Sequence, residues 1–149
     1  MNIIDLLKED HRQAVEYIDQ LEEETNYQIL VKLKNALALH TQIEEEIFYP
    51  ALRKFEETAE LITEAHQEHN DIEQILEELS TTEILSDDFQ DLTFQLRESV
   101  NHHVGEEENQ LFPFAENLLS SEDLDKMGLE MKKMKSMFEL TDSINKLTY

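Results

Sequence analysis

Cysteine is absent from the 149 residues, which removes disulfides, thiolate metal sites, iron–sulfur clusters and cysteine nucleophiles together. Any metal held by this chain takes nitrogen and oxygen ligands. Glycine and proline occur twice each, too few for a turn-rich β fold, and the helix-favouring Glu, Leu, Lys, Gln and Ala dominate instead. An all-α class follows. No apolar run approaches the roughly 20 residues needed to cross a bilayer, and Met1–Asp10 lacks the basic flank and apolar stretch of an export signal; a cytoplasmic location is expected. Cations are also scarce, with 12 Lys and Arg against 35 Asp and Glu and a net charge of −23. A field of that sign repels phosphate backbones and anionic headgroups, so neither nucleic acid nor a membrane is an expected partner. The ordinary consequence of such a charge is solubility.

A chain of this length fits one domain and buries enough surface to fold without staples. Ile3, Leu6, Leu7, Ala14, Ile18 and Leu21 recur at helical spacing and predict a first helix over about 3–24. Ile29, Leu30, Leu33, Leu37, His40, Ile43, Ile47 and Phe48 predict a second running toward Pro50, where it should kink or restart. A third spans 59–79. Ser80 to Asp88 reads as a loop whose Ser86 caps a fourth helix running through Phe89, Leu96, His103 and Leu111 to Pro113. Ser120 and Asp123 stand at capping spacing and open a shorter fifth helix to about Phe138, which carries a cationic cluster of Lys126, Lys132, Lys133 and Lys135. The expected architecture is an antiparallel up-and-down four-helix bundle over 1–119, with 120–149 as a helical extension packed on the same domain. Such bundles commonly build cofactor sites on their inward faces.

All six histidines, His11, His40, His66, His69, His102 and His103, fall on the four long helices. Two of them begin matching strings. His40 has Glu44 four residues on and Pro50 ten on; His103 has Glu107 four on and Pro113 ten on. The strings read H-T-Q-I-E-E-E-I-F-Y-P and H-V-G-E-E-E-N-Q-L-F-P. An i,i+4 pair shares a helix face, so an imidazole and a carboxylate can converge on one metal. The other two long helices carry Asp10-His11 and Glu68-His69, each with aliphatic residues seven and ten positions later. The chain thus reads as two hairpins, each supplying one histidine and one His-x-x-x-Glu. Folded with pseudo-twofold symmetry, they bring four histidines and two glutamates to the bundle axis. That set suits two first-row divalent metals, with carboxylates available to bridge them. An inward glutamate without a partner costs several kcal/mol, and a dication is the strongest partner available.

These strings resemble the hemerythrin family, specifically its bacterial domains with the histidine-histidine-glutamate cation-binding pattern, over about residues 3–119. The resemblance implies a pair of non-haem iron ions, carboxylate- and oxo/hydroxo-bridged. By it, His11, His40 and Glu44 with His69, His103 and Glu107 are direct ligands, the two glutamates bridging. It also implies dioxygen, or another small diatomic such as nitric oxide, as the ligand bound or sensed. A diiron enzyme acting on nitric oxide, peroxide or dioxygen, or an iron-handling regulatory protein, is the alternative. His66, three residues before His69 where the first half has Lys8, is the expected fifth histidine ligand. His102 stands about 100° around the helix from His103, so only one of the two serves the same centre. The repeat selects His103, while the five-residue interval from His102 to Glu107 keeps the other pairing open.

Overall fold

The computed structural model describes residues 1–148, and residues 146–148 by backbone alone. Seven α-helical segments follow one another: α1 (Ile3–Glu23), α2 (Tyr27–Ile43), α3 (Tyr49–Leu52), α4 (Glu56–Ser80), α5 (Asp87–Glu106), α6 (Phe112–Leu118) and α7 (Ser121–Thr148). Two π-helical turns, Glu44–Phe48 and Glu107–Leu111, join α2 to α3 and α5 to α6. No strand occurs among the described residues. Helix α1 neighbours α2 and α5, and α4 neighbours the same two, which closes a four-helix ring; α7 lies outside it against α1 and α2. An antiparallel four-helix bundle with one additional helix is the fold.

Four helices start at a capping side chain, whereas α4 starts after Phe55 without one. Asn2 accepts from Asp5 N–H at 3.0 Å, Asn26 from Ile29 at 2.9 Å, Ser86 from Phe89 at 3.1 Å and Ser120 from Asp123 at 3.1 Å. Each satisfies one amide that the first turn leaves without an intrahelical partner. The expected interruption before each proline takes the form of a π turn. Pro50 and Pro113 lack an N–H and would clash with the carbonyl four residues back in an α register. Widening the preceding turn relieves this, and Tyr49 and Phe112 then donate five residues back, to the carbonyls of Glu44 and Glu107. An α-helical register would turn a residue five positions on about 140° away. The π turn instead returns Tyr49 and Phe112 to the faces that carry Glu44 and Glu107, the kind of functional placement for which π turns recur.

The core has two apolar parts. One gathers Ile3, Leu7, Ile43, Phe48, Leu52, Ile62, Leu111 and Phe112 at one end of the bundle; the other gathers Ala14, Ile18, Leu30, Leu33, Ile72, Leu76, Phe89 and Leu96 at the other. Each large aliphatic or aromatic side chain buried here contributes about 1.5–3 kcal/mol. Between the two parts lies a layer of buried polar side chains, His11, His40, Glu44, His69, His103 and Glu107. Helix α7 runs ten residues beyond the expected end near Phe138 and, at 28 residues, is the longest helix described. Its Leu124, Met127 and Met131 join the first core part, whereas Met137, Leu140 and Ile144 are exposed. An apolar stripe that no longer faced a core therefore gave no signal for its last turns.

Candidate metal centre

Each member of the polar layer is aimed by its helix. His11 follows Leu7 by one turn on the inward face of α1, and His69 lies between the buried Ala65 and Ile72 on α4. His40 and Glu44 come from the end of α2 and its π turn, with His103 and Glu107 placed likewise at the end of α5. The ligand-type atoms of His11, His40, Glu44 and Glu107 all lie within 4.8 Å of one another, and so do those of Glu44, His69 and His103. Glu44 belongs to both groups. His103 Nε2 is 3.3 Å from Glu107 Oε1 and 3.6 Å from Glu44 Oε1, so Glu107, a member of the first group, also borders one histidine of the second.

A second ring of carboxylates surrounds the first. His11 Nδ1 is 2.7 Å from Glu108, His40 Nδ1 3.0 Å from Asp10, His69 Nδ1 3.1 Å from Glu45 and His103 Nδ1 2.8 Å from Glu68. The pattern is twofold. The acidic residue before each lone histidine, Asp10 or Glu68, accepts from the histidine of the neighbouring helix. The residue after each inward glutamate, Glu45 or Glu108, serves the lone histidine itself. With Nδ1–H donating outward, all four Nε2 lone pairs face inward, the tautomer a metal requires, and the outer carboxylates fix the ring planes.

The inner atoms do not satisfy one another. His69 Nε2 and His103 Nε2 approach to 3.2 Å, and His11 Nε2 lies 3.0 Å from Glu107 Oε1. Acceptors meet acceptors there unless a proton or a cation intervenes. His40 Nε2 is 3.1 Å from Glu44 Oε1 but off the angle that a hydrogen bond needs, so His40 Nε2 and Glu44 Oε2 are both buried without a partner. Protons move into this gap in the chain by itself. Burial opposes the charge on His40, yet Glu44 beside it raises its pKa to about 10. Burial likewise opposes charge on His103, and Glu107 pushes it well above the usual imidazole range. Glu44, fully buried, is nevertheless held well below the carboxylate range, chiefly by His40. The buried four-nitrogen, carboxylate-rich donor set is of the kind that suits first-row cations.

Tyr49 breaks the twofold symmetry. Its ring stacks on His69 with centroids 5.7 Å apart, as the ring of Phe112 stacks on His11 at 5.7 Å. Only Tyr49 carries a hydroxyl, which donates to Glu107 Oε2 at 2.5 Å and lies 3.5 Å from His69 Nε2. Burial, reinforced by the charges of Glu107 and Glu44, raises its pKa well above the usual phenol range and keeps it protonated. Sequence reasoning missed this residue and the outer carboxylates. The available signals were the matched Tyr-Pro and Phe-Pro offsets and the acid that neighbours each ligand-type residue at the same place in both halves.

The structure does not bring His66 or His102 to either buried group. His66 Nδ1 is 2.6 Å from Glu45, and its Nε2 is 2.9 Å from the Arg53 guanidinium. Three residues from His69 is about 60° around the helix, which turns His66 toward the groove holding Glu45 and Arg53. His102, 65% exposed, lies 3.2 Å from both Glu68 and Glu106. Crowding by Glu68 raises Glu106 to about 7.

A histidine-rich layer of this kind in a four-helix bundle has the ligand chemistry of a non-haem metal site, and the comparisons with known proteins point to the same class. Residues 2–115 match the model of the hemerythrin HHE cation binding domain, and the chain belongs to that family. A protein of Nostoc named DNA nickase is 29% identical over 143 residues, 93% of this chain and 40% of its own length. An uncharacterized hemerythrin-like protein of Schizosaccharomyces pombe is 28% identical over 145 residues, 93% of this chain and 68% of its own length. The chain therefore spans two fifths of the first relative and two thirds of the second. The crystal structure of an HHE cation binding domain-containing protein from Mycobacterium kansasii, a homolog of Rv2633c, shares the fold with a TM-score of 0.78 at 24% identity, covering 92% of this chain and 89% of that one. No helix among the described residues is long and apolar enough to cross a membrane.

Proposed function

We propose that the chain holds two iron ions, one among His11, His40, Glu44 and Glu107 and the other among Glu44, Glu107, His69 and His103, and that the pair binds or senses dioxygen or another small diatomic such as nitric oxide. The observation that supports this reading is the convergence of four imidazoles and two buried glutamates, with His40 Nε2 and Glu44 Oε2 left without a hydrogen-bond partner. Within this proposal His66 is not a direct ligand. It holds Glu45, which in turn holds His69. Two bound irons would supply reversible redox change and a coordination position for the diatomic.

The protein's own groups shape what can happen there. Apolar packing above and below the polar layer lowers the local dielectric and strengthens the electrostatic interactions inside it. The outer carboxylates keep the imidazoles oriented. Tyr49 holds a proton beside Glu107 and can share it with a bound molecule; Phe112, its counterpart, cannot. The same proton makes turnover of nitric oxide, peroxide or dioxygen the second reading. The reading places the protein in the cytoplasm and gives it no nucleic-acid partner, because a net charge of −23 repels DNA; the name of the Nostoc relative is thus not carried over. Spectra of the iron-loaded protein, first anaerobic and then in air, test the proposal. Bands that appear in air and vanish on deoxygenation support reversible binding. Rapid, irreversible oxidation supports the enzyme instead, and no spectral response to dioxygen or nitric oxide would end both readings.

A further inference from the structure

The two halves of the centre match in their inner and outer rings but differ one step further out. Glu68, which orients His103, faces His102 and Glu106. Asp10, which orients His40, faces the Lys135 ammonium of α7, to which it is hydrogen-bonded. A line of three groups thus runs from the outer helix to one inner ligand: Lys135, Asp10, His40. The opposite half has no lysine in this place.

The position of Lys135 is fixed by packing rather than by the lysine's own flexible stem. Met131, fully buried in the core, lies one turn before it on the same face of α7. Two turns earlier, Gly128 passes so close to the start of α1 that an added Cβ would stand 2.3 Å from the Met1 carbonyl oxygen. Seven residues along α7 from that contact lead to Lys135, and about the same number along α1 lead to Asp10. The two helices therefore run in the same direction with their register set by Gly128. Lys135 also lines a cavity of about 840 Å³ that is walled by Asp10, His40, His103 and Phe138 among others, so the ion pair stands where this cavity meets the metal centre.

We propose that Lys135 is a positioning residue for the metal position built on His11 and His40, acting through Asp10, so that α7 clasps that position through a charge it does not offer the other. The inference rests on the two-metal reading above. With Lys135 on its Oδ1, Asp10 has one preferred orientation, which sets its Oδ2 toward His40 Nδ1. Without the ammonium the carboxylate swings toward water, the ring loses its fixed plane and the ligand's basicity falls.

The test is the release of iron(II) from the anaerobically loaded full chain to a colour-forming chelator, followed in time. Wild type that binds fewer than two irons sinks the two-metal reading itself. Given two, Lys135→Met should accelerate one release phase by about 3- to 10-fold and Asp10→Asn the same phase by about 10- to 100-fold, the range typical of groups that orient metal ligands. The smaller acceleration from the lysine substitution should vanish in the Asp10→Asn background, because both changes break one line. Lys135→Arg should restore wild-type release, and Lys135→Gln serves as a second neutral variant should methionine disturb α7. A role in helix packing alone would speed both phases together. Equal acceleration of both phases, additive effects of the two substitutions, failure of arginine to rescue, or unchanged release in both neutral variants would each overturn the proposal.

Discussion

Removing the metal should destabilise the fold by an amount that depends on pH, and the sign follows from the groups that take the metal's place. Ions present at about 1,000 times their dissociation constants stabilise the fold by about 4 kcal/mol for each independent site, and in a domain of this size each kcal/mol moves Tm by about 2–4 °C. Chelation should therefore lower Tm by at least about 8 °C near neutral pH. In the metal-free chain, Glu44 is balanced by a proton on His40, whose pKa rises from 6.5 to about 10. A rise of that size corresponds to about 5 kcal/mol. Because the folded-state pKa is the higher one, this stabilisation is fully present below pH 6.5 and is lost as pH climbs toward 10. Glu44 has the opposite sign: its folded-state pKa is depressed, so its contribution is present above 4.5 and disappears in acid. In the loaded protein His40 Nε2 is already deprotonated, and no such loss occurs. The gap between loaded and metal-free Tm should accordingly widen by about 10–20 °C between pH 6.5 and 10. Calorimetry on both forms across that range is the assay. A gap that is absent after verified metal removal, or that stays constant with pH, would refute the burial and pairing of these groups.

Tyr49→Phe should leave the bundle intact but strip Glu107 of a buried donor, destabilising the metal-free protein by about 1–3 kcal/mol and altering the spectrum of the iron-loaded form with nitric oxide; an unchanged melting curve would remove Tyr49 from the site. His66→Ala and His102→Ala should both retain two irons per chain, whereas His103→Ala should lose at least one. Retention by His103→Ala, or loss in His66→Ala, as read by metal analysis, would reverse the ligand assignment. The two glycines should respond with opposite signs. Gly105→Ala meets nothing nearer than Asn109 Nδ2 at 4.0 Å and should gain about 0.5–1 kcal/mol of helix propensity. Gly128→Ala should lose about 1–3 kcal/mol against the backbone of Met1 and Asn2; denaturant titrations that give both variants the same sign would contradict the α1–α7 register.

The helices were legible because their inward faces are apolar at a period near 3.6 and two of their starts carry the Ser86 and Ser120 caps, physical signals that need no tertiary context. The six buried ligand-type residues were legible for a different reason: the chain states the pattern twice, and identical His, Glu and Pro offsets in two helices do not arise from amphipathicity. What one-dimensional reading lost depends on contacts between helices. The π turns shift the helical phase, so no regular 3.6-residue count brings Tyr49 and Phe112 to the faces of Glu44 and Glu107. Asp10, Glu45, Glu68 and Glu108 are acidic residues in a chain with 35 of them, and only the neighbouring histidine reveals which carboxylates orient the rings. His66 and His69 share the H-Q-E-H run, but a separation of about 60° on α4 was enough to give them different partners. The length of α7 was hidden because its last turns present Leu140 and Ile144 to solvent.

The central claim is that two ions sit side by side in the polar layer, sharing Glu44 and Glu107. Anomalous diffraction from crystals of the iron-loaded protein, recorded on either side of the iron absorption edge, tests it most directly. The account predicts two iron peaks per chain, one bounded by His11 and His40 and the other by His69 and His103, with both glutamates reaching both peaks. A single peak, no peak in this layer, or a peak confined to the outer cluster of Glu68, His102 and Glu106 would contradict it.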